Sequence, residues 1–259
     1  MFSKQTVQNL PNNSRFYILV STLLISLLTL CIARTQIMNG QLFYIRLEQA
    51  YGVISIAFLY AALLISPLSK LFAGRTWMPH VLFARRAIGV SAAYFAVLHA
   101  AVAFWGQTGG WAGIQLLPQT FVWSLGMGAV ALCVLLLMAA TSFDKVIRFM
   151  TFRRWKWLHR LIYAGGILII LHVWMIGSLL VFDAVRAGAF LLLTVFFALE
   201  SWRTVVAAVK KYPELQRRDY IVVLTVSLWA FWTVLLVSLP ALVQNYHDAR
   251  HGEEHGHVE

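Results

Sequence analysis

The chain has 259 residues, of which 60% are hydrophobic and only 12% are charged. Soluble domains average about 45–50% apolar and about 25% charged residues, so one soluble core could not hide this excess and a lipid-facing surface is expected. The formal net charge of +11 would suit nucleic acid, but the basic residues fall in short clusters between apolar runs. That distribution is typical of membrane loops, so we expect no nucleic-acid partner.

Seven apolar runs are long enough to cross a bilayer, since a spanning helix needs about 20 mostly apolar residues. They cover 16–33, 50–68, 87–105, 119–140, 157–178, 183–201 and 220–240. None of them alternates like a strand, and only helices or closed barrels satisfy the backbone in lipid. The sequence therefore predicts an all-α, polytopic transmembrane helical bundle. We expect the first run to be retained as a helix, with signal cleavage after Ala33 as the alternative.

The charges of the loops predict the orientation. The loops after the second, fourth and sixth runs are basic, whereas loop 106–118 has no charge. Under the positive-inside rule the basic loops face the cytoplasm, which puts the N-terminus inside and the C-terminus outside. The loop 34–49, with Arg34 and Arg46 against Glu48, should then face out. Trp105, Trp111, Trp123 and Trp174 would form an aromatic belt at the outer interface.

Three histidines lie inside the apolar runs: His99 in the third, and His159 and His172 in the fifth. Ionisable residues in spanning helices are costly and are functional candidates by default. The third and fifth runs should be parallel, so His99 and His172 should reach a similar depth toward the outer leaflet. Two imidazoles at one depth on neighbouring helices could bind haem iron from opposite sides. Two hydrogen-bonded structural histidines are the alternative.

His159 and His172 do not share a face of an ideal helix, because the 13 residues from 159 to 172 turn it by about 1300°. Either Gly165 and Gly166 allow a local distortion, or the two histidines serve different sites. These glycines and the alanines of the third helix would leave room for a bulky ring. Small residues can equally mean tight helix packing.

The segments around these histidines resemble a known family. Segment 84–105, ARRAIGVSAAYFAVLHAAVAFW, resembles the third helix of the ferric-reductase-like transmembrane domain, and 153–174, RRWKWLHRLIYAGGILIILHVW, resembles its fifth. Segment 51–72, ending ISPLSKLF, resembles the second helix, and Thr141-Ser142-Phe143 resembles the end of the fourth. Within the family, the chain resembles the MsrQ (YedZ) type of haem-binding membrane subunit, which is paired with a periplasmic methionine sulfoxide reductase.

The resemblance implies a six-helix core that holds b-type haem between the third and fifth helices. His99 and His172 match the outer haem ligands, and His159 matches the inner histidine of the fifth helix. In the eukaryotic NADPH oxidases and ferric reductases the third helix also has an inner histidine, where Arg85 and Arg86 stand here. The resemblance therefore implies one haem b and leaves a second open.

The inner side keeps several alternatives. His159 would bind haem with another partner, contact a haem propionate or a quinone, or only form a hydrogen bond. Arg85, Arg86 and Arg160 are candidates for binding propionates, because a guanidinium group suits a carboxylate. They could equally be ordinary basic residues of cytoplasmic loops.

The predicted organisation adds two parts to the haem domain of 16–205, which follows a cytoplasmic N-terminus at 1–15. Residues 206–240 form a cytoplasmic loop and a seventh helix, and 241–259 form a histidine-rich outer tail. The tail is either a metal-capture segment or a solvated polar end. Its histidines are His247, His251, His255 and His257.

The function implied is transmembrane electron transfer in a bacterial inner membrane. No Gly-rich dinucleotide motif follows a strand, so the donor should be a separate flavin reductase or a membrane quinol, with FMN or quinone on the cytoplasmic side. The acceptor should be a periplasmic reductase or a ferric ion. The alternatives are a direct ferric or cupric reductase that uses the tail, and a non-redox transporter or assembly protein with structural histidines. No catalytic side chain is expected, since haem supplies the redox chemistry.

Overall fold

A computed structural model describes residues 13–37, 40–211 and the isolated residues 221 and 225. Within these residues the chain is helical and has no strand, which confirms the predicted all-α fold. Six long helices carry the fold, and we name them α1 to α6. Their bounds are α1 Asn13–Gln36, α2 Gly40–Leu71, α3 Met78–Ala101, α4 Gln119–Ala140, α5 Leu161–Ile176 and α6 Asp183–Lys211.

Shorter helical segments connect the long helices. A π-helical turn, Val102–Gln107, extends α3, and Trp111–Ile114 lies before α4. Asp144–Met150 and Phe152–Leu158 lie between α4 and α5, and a 3-10 turn at Ser178–Val181 precedes α6.

Six helical segments of the described residues are long and apolar enough to span a membrane. They are Ser14–Gln36, Gly40–Leu71, Met78–Gln107, Gln119–Ala140, Arg153–Ile176 and Asp183–Ala208. The chain is therefore a multi-pass membrane protein, and the first six predicted spans are confirmed. Apart from Ile221 and Thr225, the seventh predicted helix at 220–240 lies outside the described residues. The tail with its four histidines lies outside them as well.

The second helix begins earlier than expected. Residues 34–49 were predicted as an outer loop, but α2 already begins at Gly40, so Arg46 and Glu48 are helical. The helix begins early because one of its faces is buried, with residues that recur every four positions and pack into the core. These residues are Phe43, Leu47, Tyr51, Ser55 and Leu59. Hydropathy averaged over the whole segment does not reveal such a face.

The small residues of α3 serve tight helix packing. Ala92 and Ala93 are fully buried and pack in one cluster with Leu59 of α2 and Leu135 of α4. Small side chains let helix backbones approach closely in a membrane. The sequence left two interpretations of these alanines open, namely room for a bulky ring and tight helix packing. The structure favours tight packing.

Polar side chains tie α1 to its neighbours inside the bundle. The Thr22 and Ser91 hydroxyl oxygens lie 2.6 Å apart, and Tyr51 Oη donates to the Ser26 carbonyl oxygen at 3.2 Å. Ser55 Oγ donates to the Ala92 carbonyl oxygen at 2.9 Å and links α2 to α3. Interhelical hydrogen bonds of this kind contribute on average about 0.6 kcal/mol each in membranes. Together they join α1, α2 and α3 to one another.

The described chain divides into two compact units, one up to Ser178 and one from Leu179 onward. In the second unit, α6 extends to Lys211, beyond the predicted end near 201. Glu200 therefore lies within the helix, where its Oε2 atom is 2.6 Å from an Arg203 guanidinium nitrogen. Because Glu200 and Arg203 neutralise each other three residues apart, both charges can lie in a long apolar helix.

Candidate functional site

His99 of α3 and His172 of α5 face each other within the first unit. Their ring centroids lie 6.1 Å apart and their planes are nearly perpendicular, at 87°. An imidazole–metal bond is about 2.0 Å long, and the bonding nitrogen lies about 1.1 Å from the ring centroid. Two rings on opposite sides of one metal ion therefore have centroids about 6.2 Å apart. The observed spacing fits one iron atom between the two histidines.

The Nδ1 atom of each ring lies within hydrogen-bond distance of an oxygen atom on a neighbouring helix. His99 Nδ1 lies 3.1 Å from the Glu48 carbonyl oxygen and 3.0 Å from Glu48 Oε1. His172 Nδ1 lies 2.9 Å from the Ser124 carbonyl oxygen and 3.2 Å from Ser124 Oγ. A carbonyl oxygen only accepts, so Nδ1 carries the hydrogen in both rings and the Nε2 lone pair is left for a metal. Metal-binding histidines are typically oriented in this way.

A glycine makes room for each imidazole. A Cβ atom on Gly52 would come within 2.9 Å of His99 Nδ1, and one on Gly128 would come within 2.9 Å of His172 Nδ1. Gly52 follows Glu48 by four residues on α2, and Gly128 follows Ser124 by four residues on α4. Each helix therefore offers an acceptor and, one turn later, the space in which the ring lies.

These four supporting residues were missed in the sequence. Glu48 was assigned to an outer loop, and the other three lie in apolar runs without any charge to mark them. A signal was present in the segments that form α2 and α4, namely a residue with a side-chain oxygen four positions before a glycine. That spacing is too common in membrane helices to be recognised before the partner histidines are placed.

The site has two protein ligands rather than a cage. Within the described residues, no group of three or more His, Cys, Asp or Glu side chains is placed to hold a metal ion. Zinc sites normally use three or four such ligands. Two opposed imidazoles instead suit an iron whose other positions are filled by a macrocycle, as in bis-histidine haem.

His159 belongs to a different part of the molecule. It caps the short helix Phe152–Leu158, and its ring stacks on Trp155 with centroids 4.1 Å apart. Its Nδ1 donates to the Trp155 carbonyl oxygen at 3.1 Å. Since α5 begins only at Leu161, His159 and His172 lie toward opposite ends of this span, and the helix breaks at His159 rather than at the predicted glycine pair. His159 and His172 therefore do not belong to the same site.

An ionic cluster lies at the same end as His159. Arg86 Nη1 is 2.5 Å from Asp144 Oδ1, and Arg15 Nη1 is 3.2 Å from Asp144 Oδ2. Burial alone would raise the pKa of the Asp144 carboxyl, but the hydrogen bonds and charges of Arg86 and Arg15 outweigh it and hold that pKa below its ordinary value. The cluster ties α1 and α3 to the connection after α4.

Arg86 and Arg160, both predicted to contact a propionate, differ in their surroundings. Arg86 is already paired with Asp144, and its guanidinium carbon lies 5.6 Å from the centre of the Trp155 ring. Arg160 is exposed and lines an open recess of about 300 Å³ with Arg153, Lys156 and Trp157. Arg86 precedes His99 by 13 residues, about 20 Å along a helix, so its predicted role concerns the inner end only.

Comparison with known proteins agrees with this arrangement. The family model described as the ferric reductase like transmembrane component matches residues 51–170, which include His99 and His159 and end two residues before His172. Residues 51–170 are therefore similar to this transmembrane component. The matched segment begins within α2, after Glu48, and runs through α3, α4 and most of α5.

Relatives of one kind recur among curated proteins. They carry the name protein-methionine-sulfoxide reductase heme-binding subunit MsrQ. The Ralstonia nicotianae protein is 30% identical over 129 residues, which cover 48% of this chain and 55% of that protein. The Deinococcus radiodurans protein is 33% identical over 125 residues, covering 48% and 58%, and the Azospira oryzae protein is 29% identical over 143 residues, covering 54% and 58%. The matches thus span little more than half of each relative.

Proposed function

We propose that this membrane protein binds b-type haem between His99 and His172 and passes electrons across the bilayer, from a donor on the cytoplasmic side to an acceptor on the outer face. One observation carries the proposal: the two imidazoles lie 6.1 Å apart, at the separation that a shared iron requires. The similarity to named haem-binding subunits supports the same cofactor.

The chain's own residues prepare the site before the cofactor binds. Glu48 and Ser124 accept hydrogen bonds from Nδ1 and thereby direct Nε2 of each ring toward the iron position. Gly52 and Gly128 leave the space that the rings occupy. When bound, haem supplies one-electron chemistry, with its iron alternating between the ferric and ferrous states. His99 and His172, oriented by the neighbouring helices, would supply the two protein ligands of its iron.

The distribution of charge supports the proposed orientation of the protein in the membrane. The loops after α2 and α4 are basic and would face the cytoplasm of a bacterial inner membrane, with the N-terminus inside and the C-terminus outside. The histidine pair would then lie in the outer half of the membrane. Trp105, Trp111 and Trp123 are each more than 60% exposed, as expected of an aromatic belt at the outer interface.

The proposed partners are separate molecules. A flavin reductase or a membrane quinol would supply the electrons, with FMN or quinone bound near the cytoplasmic side. A periplasmic reductase of methionine sulfoxide would accept them, since the relatives carry the name of such a system. A ferric ion is the other acceptor that the family suggests.

The test is the haem content of the purified protein. A pyridine haemochrome assay on protein from haem-replete cells should give about one haem per chain, because two imidazoles complete one iron site. His99→Ala and His172→Ala should each abolish the reducible b-type spectrum. His80→Ala is the matched control, because His80 is exposed outside the apolar runs and should be dispensable. A colourless wild-type protein would instead favour a non-redox role with structural histidines.

A further inference from the structure

We infer that Glu48 is a positioning residue for His99. Its carboxylate would lower the midpoint potential of the bound haem, compared with a site in which both histidines had only uncharged hydrogen-bond acceptors. The inference rests on the proposed function, since it concerns iron bound between His99 and His172. It arises from a difference between the two ligands that the sequence does not show.

The two histidines have unequal supports. His172 Nδ1 has only uncharged oxygens beside it, the carbonyl and hydroxyl of Ser124, at 2.9 and 3.2 Å. His99 Nδ1 has the Glu48 carbonyl oxygen at 3.1 Å and also the carboxylate oxygen Oε1 at 3.0 Å. Only one of the two proposed iron ligands, His99, therefore has a carboxylate beside its Nδ1 atom.

The carboxylate is fixed in this position. Its second oxygen, Oε2, accepts a hydrogen bond from Gln107 Nε2 at 3.1 Å, so both oxygens are engaged. The Glu48 side chain is only 19% exposed. The nearby cation Arg46 directs its Nη1 to Gln49 Oε1 at 3.2 Å instead. Among the contacts of the described residues, Glu48 is therefore arranged for His99 and not for a surface ion pair.

The chemistry follows from the single hydrogen on Nδ1. Two oxygens compete for it at nearly equal distances, and a charged acceptor forms the stronger hydrogen bond. Drawing the Nδ1 hydrogen toward a carboxylate makes Nε2 more basic, as such partners do for metal-binding histidines. A more basic ligand stabilises ferric iron relative to ferrous iron. Reduction by one electron then becomes less favourable, with no bond to His99 made or broken.

The experiment measures the midpoint potential of the purified haem protein at one fixed pH. Glu48→Gln keeps the shape and a neutral acceptor but removes the charge, and should raise the ferrous-to-ferric ratio at a given potential about tenfold, which is about 59 mV for one electron. Glu48→Asp keeps the charge and should stay within about twofold of wild type, about 18 mV on the same scale. Arg46→Gln is the matched control for a nearby charge and should also stay within about twofold of wild type, because the Arg46 guanidinium group contacts Gln49 and not His99.

The results distinguish a failure of the proposed function from a failure of the proposed role of Glu48. If the wild-type protein contains no haem, the proposed function fails and this inference falls with it. If wild type and Glu48→Gln both hold haem at the same potential, only the inference is overturned. Loss of haem from Glu48→Gln with retention at wild-type potential in Glu48→Asp would support a role for the charge. Loss of haem from both variants would overturn it, since the charge is then not what the site requires.

Discussion

Gly128 lies so close to the imidazole of His172 that a Cβ atom there would stand 2.9 Å from Nδ1. We therefore expect Gly128→Ala to displace the ring and to lower the haem content of the purified protein roughly tenfold, because a ligand misplaced by a fraction of an ångström no longer completes the site. The measurement is haem per chain by pyridine haemochrome, with total protein from amino-acid analysis.

Gly126 provides the control for this substitution. It lies on the same helix, α4, but nothing would stand within 4 Å of a Cβ atom there. Gly126→Ala should therefore keep the haem and even gain up to about 1 kcal/mol of helix stability. Equal haem content in the two alanine variants would show that Gly128 does not shape the ligand position.

This glycine also shows what the sequence could and could not predict. The long apolar runs predicted six spanning helices correctly, because hydropathy in lipid depends on composition alone. The depth argument correctly paired His99 with His172. The residues beside them were missed, because Glu48, Gly52, Ser124 and Gly128 are recognisable only once the neighbouring helices are placed. Average hydropathy likewise concealed the first turns of α2, where Glu48 lies.

His159 was harder to place from the sequence. Its distance from His172 left a distorted helix and two separate sites equally open, and the break at the start of α5 is what separates the two residues. The turn at His159 and Arg160 has no glycine or proline to announce it. Packing of Trp155, which donates from Nε1 to the Thr141 carbonyl oxygen at 2.9 Å, accompanies the break.

We expect His159→Ala to retain the haem bound by His99 and His172. His159 contacts Trp155 at the other end of the span, so its removal should leave the ratio near one haem per chain, as in wild type. Absorbance of the reduced protein and haem content measure this directly. A wild-type ratio near two that falls to one in the variant would show instead that His159 binds a second haem.

Asp144 should make the stability of the protein depend on acid pH. Its pKa in the folded protein lies below the ordinary value of 3.8, so its pairing stabilises the fold above about pH 4 and that contribution is lost as the pH falls through the folded pKa. The carboxylate side chain is 57% exposed, so the effect should be no more than about 1 kcal/mol. Thermal unfolding in detergent at pH 7 and at pH 3 measures it.

Asp144→Asn isolates this contribution. The variant should unfold at a slightly lower temperature than wild type at pH 7, because Arg15 and Arg86 lose their anionic partner. At pH 3 the difference should shrink, because the carboxyl of the unfolded chain is then mostly protonated and the ion pairs stabilise the fold less. A difference that is the same at both pH values would mean that shape, and not charge, accounts for the role of Asp144.

The proposed orientation can be tested with single cysteines. Cys31 and Cys133 are both exposed and unpaired, so they would first be replaced by alanine. A cysteine at Gln115 should then react with a membrane-impermeant maleimide in intact spheroplasts, since the uncharged connection before α4 is expected outside. A cysteine at Lys145 should react only after lysis, because the basic connection after α4 is expected in the cytoplasm. The reverse pattern would place the histidine pair near the cytoplasmic face, and electrons from an inner donor would then have no path to the outer surface through this site.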